Sequence, residues 1–429
     1  TEMDAVEASK QDTIVRAGTC YVDAKRSDAY TEDGSISKPY KTLSAAITAR
    51  CEDADTDTVH FVLASGTYSG AIDRQKTTAN QSITIQGAGP DHTVITGGAV
   101  ANNIVYLRRF REVKVLDCTF ETGAYGFYLR DARSCVMTNC HFVKCGSVGT
   151  SNRHDLTGTQ AEQATYWGSG DTSDGGACRI RTVARVRLRD CRAEYCLRGF
   201  RIQDCGSVDE PSSVQGCEVY RCLESGIYLA AGTYTGASGC NHFKVSGNTV
   251  RQCFNNGILV IGGKHNSVVG NTVSECASSG IMLWHPLDAT VQGNVIKKCN
   301  QLQHIGIGSL GDAWASIHVE GATAIGSGHC IASVHGNTMV QCGQGRAASV
   351  RGISIMHDPA SYVAHPAASN KCFVGYNRSD AADAVFNPNT VTINQPSGTD
   401  LSAYSTTTQM NTQLALKNDL IGDGDLSIP

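Results

Sequence analysis

The chain has 429 residues, 41% hydrophobic and 18% charged, with 36 Lys and Arg against 40 Asp and Glu for a net charge of −4. That balance excludes a strongly basic nucleic-acid binder, a collagen-like chain and a wholly disordered one. There is no run of about 18 apolar residues, so no membrane-crossing helix is expected. Neither nucleic acid nor a membrane is an expected partner.

Cysteine is over-represented, at 19 residues, with no pair of CxxC units at zinc-ribbon separation. In chain order eleven of the cysteines fall in DCTF (117–120), NCHFVKC (139–145), DCRAEYC (190–196) and GCEVYRC (216–222), then GNTVRQC (247–253), GNTVSEC (270–276), GNVIKKC (293–299) and GNTMVQC (336–342). One position recurs as Cys145, Cys196, Cys222, Cys253, Cys276, Cys299 and Cys342. A second runs Cys118, Cys140, Cys191, Cys217 and then changes to Asn248, Asn271, Asn294 and Asn337. The steps along it are 22, 51, 26, 31, 23, 23 and 43 residues, a unit of 22–23 with loops inserted in some copies. A repeat of that size means a solenoid. Each unit reads G-N-x-V-x-x-C-x-x-x-G-I-x-L, short strand, turn, short strand, and lacks a leucine-rich frame. Stacking rungs about 4.8 Å apart places like over like, so buried, reduced thiols fill inner columns and asparagine amides form a hydrogen-bonded ladder. A column of identical thiols is not a tetrahedral cage, so no metal and no cofactor is expected.

With these units the chain resembles the right-handed parallel β-helix proteins of the pectate-lyase-like superfamily over roughly residues 18 to 397. The resemblance implies an all-β, single-stranded right-handed parallel β-helix solenoid with a short N-terminal capping helix and a small C-terminal extension. Residues 1–17 are an N-terminal extension without a basic-then-apolar signal. In 18–70, CYVDAKRSDAYTEDGSISKPYKTLSAAITAR followed by TVHFVLASGTYSG looks like the superfamily's entry, with a helix over Tyr40 to Arg50 capping the first coil. A solenoid end exposes strand edges and apolar core, which a cap must cover. The helix proper spans 71–397, with loops at 148–177, 309–329 and 356–371. Residues 398–429, ending STTTQMNTQLALKNDLIGDGDLSIP, resemble segments that follow β-helices in viral tail fibres and spikes and help chains trimerise. The stop in mid-pattern suggests that the natural chain continues. This resemblance implies a homotrimeric virion surface appendage that meets a host-surface glycan and other virion proteins, with a secreted protein as the alternative.

Function belongs to outward residues, which alternate with buried ones along each strand. One outward column reads Tyr106, Tyr128, Arg179, Arg201, Tyr228, Leu259, Met282, Ile307 and Ser354, and the next reads Arg108, Arg130, Arg181, Gln203, Ala230, Ile261, Trp284 and Met356. Stacked arginines repel, so carboxylates must interleave or an anionic ligand must be bound. Asp131 follows Arg130 and Asp204 follows Gln203, which suits a self-neutralising salt ladder. Tyr and Arg at this spacing equally suit an acidic glycan, rings on sugar faces and guanidinium forks on carboxylate or sulfate. The substrate-binding candidates are therefore Tyr106, Arg108, Tyr128, Arg130, Arg179, Arg181, Arg201 and Tyr228, with Trp284 and His285 from the WHPLD turn and Trp167 from the first loop. The apolar outer positions Leu259, Ile261, Met282 and Trp284 suit a trimer contact.

Hydrolysis of a glycosidic bond needs two carboxyl groups, about 5–5.5 Å apart for retention or about 6.5–9.5 Å for inversion. Asp131 and Asp204 stand two rungs, near 10 Å, apart. Asp155 in the first loop is a third candidate acid, while the second loop carries Asp312, Trp314, His318 and Glu320 and the third His357, Asp358 and His365. A lyase needs a base beside a uronate carboxylate and a cation to steady the charge, a role open to Arg108, Arg130 and Arg181. An epimerase-type Tyr-Gly-Phe-Asp-Pro-His stretch is only half echoed by YGFYLR (125–130), and no calcium-holding aspartate cluster or paired Asp-Asp signature is seen. Three readings stand: a tailspike-like polysaccharide depolymerase, hydrolase or lyase; a non-catalytic receptor-binding or structural fibre; and a secreted lyase or epimerase, which fits poorly with so many free cysteines.

Overall fold

A computed structural model describes residues 18–52, 58–97, 103–146, 175–231, 239–299, 315–321, 331–340 and 342, and the backbone of 351–357, 371–374, 378–379, 383–386 and 392–393. The N-terminal extension, most of the loop at 148–177 and the C-terminal segment 398–429 lie outside them.

Every strand pairs in parallel with its counterpart one rung on, giving three stacked columns. The front column runs through Ile72–Gln75, Val105–Arg108, the start of Tyr125–Thr138 and of Gly176–Arg189, then Phe200–Gln203, Ile227–Ala230, Ile258–Ile261, Ile281–Trp284, Ala315–Gly321, Arg351–His357 and Asp383–Phe386. The second runs from Thr19–Val22 and Val59–Leu63 through the latter halves of Tyr125–Thr138 and Gly176–Arg189 to Lys371–Val374 and Thr392–Ile393, and those two long strands join it to the front around a shared corner. The third, on the remaining side, is an 11-stranded sheet from Gly66–Ser69 to Arg378–Ser379.

The period-2 pattern explains the core. Phe61, Ile85, Val115, Met137, Leu188, Val214, Val245, Val268, Val291 and Val334 face each other in register up the second column, all buried. From Val214 to Val334 this stacking puts valine on valine at every step. Phe120 lies flat on Phe142 at 5.1 Å. The column cysteines, from Cys118, Cys140, Cys191 and Cys217 to Cys145, Cys196, Cys222, Cys253, Cys276 and Cys299, are buried thiols outside any disulfide. Burial in apolar surroundings pushes the thiols of Cys118 and Cys240 up to about 12, so they stay protonated.

The asparagine ladder forms. Asn248, Asn271 and Asn294 each donate Nδ2–H to the next member's Oδ1 at 2.9 Å, ending on Asn337. Each also donates to a core-strand carbonyl, Val214, Val245 and Val268 respectively, and each Oδ1 from Asn271 on accepts the backbone N–H of the member before. Buried amides are thereby satisfied at a turn that no strand ladder serves.

The corners need left-handed backbone, and many are not glycine. Asp131, Thr182, Asp204 and His285 all have φ between 51° and 57° at the front edge. Asp, Asn and His tolerate this region; a β-branched threonine does so at a cost.

At the entry, the helix runs Leu43–Arg50 with Thr42 as its N-cap, shorter than the expected Tyr40 to Arg50. Its C-terminal carbonyls are met by the first rung: Gln81 donates to Arg50, Arg74 to Cys51 at 2.6 Å, and buried Lys76 to Glu52 at 2.5 Å and to Gln81. Cationic donors suit the negative end of a helix.

Candidate functional site on the front face

Strand register gathers most of the expected residues on one face. Asp73, Tyr106, Tyr128, Arg179, Arg201, Tyr228, Leu259 and Met282 occupy successive rungs of one outward column. Gln75, Arg108, Arg130, Arg181, Gln203, Ala230, Ile261 and Trp284 occupy the other. The next member after Met282 is His318, not Ile307, and the partner of Trp284 is Glu320. Ile307 lies outside the described residues, as do Asp155, Trp167, Asp312, Trp314, Asp358 and His365. The segment Ala315–Gly321 is a front strand, so the stretch 309–329 is not one uninterrupted loop, and His318 and Glu320 belong to the face.

The aromatic and basic residues interlock. Tyr106 stacks on Tyr128 at 4.7 Å, and the Arg179 guanidinium lies over Tyr128 at 5.1 Å. Buried Tyr125, the first residue of its front strand and not among the sequence candidates, accepts a hydrogen bond from Arg201 at 3.2 Å and sits beneath Arg179. Arg201 also covers Tyr228 at 5.7 Å. Further up, the rings of Trp284 and His285 are 5.2 Å apart.

The aspartates sit at the left-handed corner beside the arginines. Asp131 accepts from Arg108 Nε at 2.9 Å and lies 3.5 Å from Arg130 Nε, while Asp204 is 3.8 Å from Arg181 Nε. Arg179 donates to Gln203 at 3.0 Å. A partial salt ladder is therefore built, but it does not balance. Arg108, Arg109, Arg130, Arg179, Arg181 and Arg201 contribute six positive charges, and Asp73, Asp131 and Asp204 three negative ones, leaving the lower half of the face at about +3.

The middle of the face differs from expectation. Leu259, Ile261 and Met282 point away from the main core yet are 9%, 3% and 6% exposed, forming a second apolar cluster with half-buried Tyr228 and Trp284 packed on it. An exposed apolar stripe for trimer contact is not present at these three residues. Among the described residues no group of three or more His, Cys, Asp or Glu side chains is placed to hold a metal ion, and no helix is long and apolar enough to cross a membrane.

Three parallel columns, αL corners and stacked inner ladders define the parallel β-helix class. A family model described as a right handed beta helix region matches residues 103–273 and 230–352, more than half of the chain, and the chain belongs to that family. Among solved structures, the catalytic domain of a GH87 alpha-1,3-glucanase superposes with a TM-score of 0.53 at 10% identity, covering 85% of this chain and 67% of that one. The Azotobacter vinelandii mannuronan C-5 epimerase AlgE4 A-module gives 0.48 at 12% identity, covering 87% of this chain and 100% of that one. Tailspike protein 3 of bacteriophage CBA120 gives 0.43 at 12% identity, covering 90% of this chain and 61% of that one. At such identities the likeness is one of fold. No curated protein matches the chain.

Proposed function

We propose that this β-helix binds an acidic, host-surface polysaccharide along the front face and acts on it, as part of a trimeric tailspike- or fibre-like appendage of a virion assembled with other virion proteins. The observation that carries the reading is the unbalanced charge of a face whose tyrosines and arginines repeat at rung spacing. A linear polymer presents a carboxylate or sulfate and a hydrophobic sugar face in turn, and the columns offer guanidinium and ring in turn. Tyr106, Tyr128 and Tyr228 are the stacking residues in this reading, and Arg108, Arg130, Arg179, Arg181 and Arg201 the anion ligands, with Trp284 and His285 extending the track and Trp167 contributing from the loop. Asp131 and Asp204 orient the arginines, and with Asp155 they remain the proposed acids of a hydrolytic version.

A binding-only fibre is the second reading, favoured by the engagement of Asp131 with Arg108 and Arg130. A secreted lyase is the alternative to a virion location. The test is a panel of acidic and neutral polysaccharides, with binding measured by calorimetry and product by reducing ends and by the ultraviolet absorbance of new double bonds. Binding to acidic polymers with product supports a depolymerase, binding alone supports a fibre, and the absence of binding to any acidic polymer rejects the reading. Trimerisation now rests on residues 398–429, and a truncation at 397 that remains trimeric in light scattering would refute that assignment.

A further inference from the structure

We propose that the outer face of the second column is a separate binding site for an acidic polysaccharide, built on Lys114, Arg187, Arg189 and Lys244. Strand register puts Lys114, Val136, Arg187, Ser213 and Lys244 on successive rungs of one outward column. Leu116, Thr138, Arg189, Gln215 and Ser246 occupy the column beside it. The four cations are exposed, and among the described residues none of them takes part in a side-chain hydrogen bond or an ion pair. From Thr84 and Gln86 up to Thr290 and Gln292, neither column holds a carboxylate.

The solenoid does not ask for these charges. Below and above them the first column continues as Thr84, Ser267 and Thr290. Where arginines at the edge of this face serve the fold they are paired: Arg133 and Arg185 both reach Glu210, and Arg185 also meets Glu112 and Ser134. At the opposite, left-handed corner stand Asp117, which accepts from Asn139 at 2.7 Å, and Asp190. Four positive charges against those two leave the columns and that corner at about +2. Arg187 and Arg189 stand on one strand with side chains on the same side, roughly 7 Å apart, and like charges so placed repel unless an anion joins them.

Spacing and composition select the ligand. Lys114, Arg187 and Lys244 recur at every second rung, about 10 Å, with the hydroxyls and amides of Thr138, Ser213, Gln215 and Ser246 among them. An extended polysaccharide advances by about one rung per sugar, so the track meets a charge on every second sugar and hydroxyls in between. Each strand of a nucleic-acid duplex carries a charge about every 3.4 Å, and single strands are held by bases stacked on aromatic rings. These columns have no aromatic residue between Gln86 and Gln292. A protein partner finds no buried anchor there either. With no ring to stack on, the site is the weaker of the two faces and the more sensitive to salt.

The experiment titrates hyaluronate, which carries one carboxylate on every second sugar, into the whole chain at low salt. The background is Y128A with R179Q, which weakens the front face and leaves the second one to be read. Hyaluronate is expected to bind it weakly, and the further substitutions K114Q, R187Q and K244Q to lower the affinity about 10-fold more. The control is K144Q, K297Q and K298Q, exposed lysines of the third sheet and its corner whose loss changes the net charge equally, and it is expected to leave the affinity unchanged. No hyaluronate binding in the background protein, an affinity unmoved by the second-face substitutions, or an equal fall in the lysine control each overturn the assignment. A single-stranded oligonucleotide that binds more tightly than hyaluronate and is lost with the same three substitutions overturns it as well. If Y128A with R179Q binds as wild type, the front-face reading fails while the second-face comparison stands.

Discussion

At the scale of single residues, Thr182 shows what the corners cost. Its φ of 55° is a left-handed conformation that a β-branched side chain resists, at a position aligned with Asp131 and followed one rung on by Asp204. Thr182→Gly is expected to raise stability by up to about 1 kcal/mol, read as a higher urea midpoint with an unchanged slope. Asn271 runs the other way. Its side chain makes hydrogen bonds to Asn248, Asn294 and the Val245 carbonyl in a buried turn, so Asn271→Ala orphans several groups at once. About 3 kcal/mol of destabilisation is expected in the same unfolding measurement. His141 adds a pH dependence: burial holds its imidazole below the ordinary value of 6.5 despite Glu194 at 3.3 Å. The unfolded chain then binds the proton more readily, so this contribution to stability is intact above the ordinary value and is lost as pH falls below it. His141→Gln is expected to flatten the wild-type loss of melting temperature between neutral and mildly acidic pH, and an unchanged profile would refute the assignment.

At the scale of elements, the entry helix depends on the first rung for its C-terminal carbonyls. Lys76→Met removes a buried cation from the Glu52 carbonyl and Gln81, and should cost about 2 kcal/mol in unfolding by denaturant while the helix cap frays. Elements were legible in the sequence wherever the rung kept its length. The 23-residue steps through Asn248, Asn271 and Asn294 make cysteine column, asparagine ladder and strand order plain, because each stacked position sees the same environment. The 43-residue step to Asn337 is a single rung lengthened by insertions, since Asn294 bonds Asn337 directly, and within it GIGSL (306–310) imitates the front-strand pattern. The better signal was alternation in SIHVEG (316–321), where Ile317 and Val319 turn inward and His318 and Glu320 turn outward. The burial of Leu259, Ile261 and Met282 was not legible, since period-2 alternation tells inside from outside of a coil and nothing about what packs on the outside.

At the scale of the whole molecule, charge is distributed unlike the net value of −4. The lower half of the front face carries about +3 among its outward strand and corner residues, whereas on the third sheet Arg192 pairs with Glu194 and Arg221 joins Gln252 and Glu275 in a hydrogen-bonded chain. That sheet holds its own tyrosine–arginine cluster, Tyr195 and Tyr220 beneath Arg221 and Arg251, with Arg251 4.5 Å from the Tyr220 ring. It spans three rungs, a shorter track than the front face, and it provides an internal control of similar composition. The most direct measurement is calorimetric titration of an acidic polysaccharide and its neutral counterpart into three proteins: the wild type, Tyr128→Ala with Arg179→Gln, and Tyr220→Ala with Arg251→Gln. The account predicts that the acidic polymer binds, more weakly as salt is raised, that the front-face variant loses about 10-fold or more in affinity, and that the third-sheet variant binds as wild type. Equal binding of the neutral polymer, or loss in the third-sheet variant with the front-face variant intact, would contradict it.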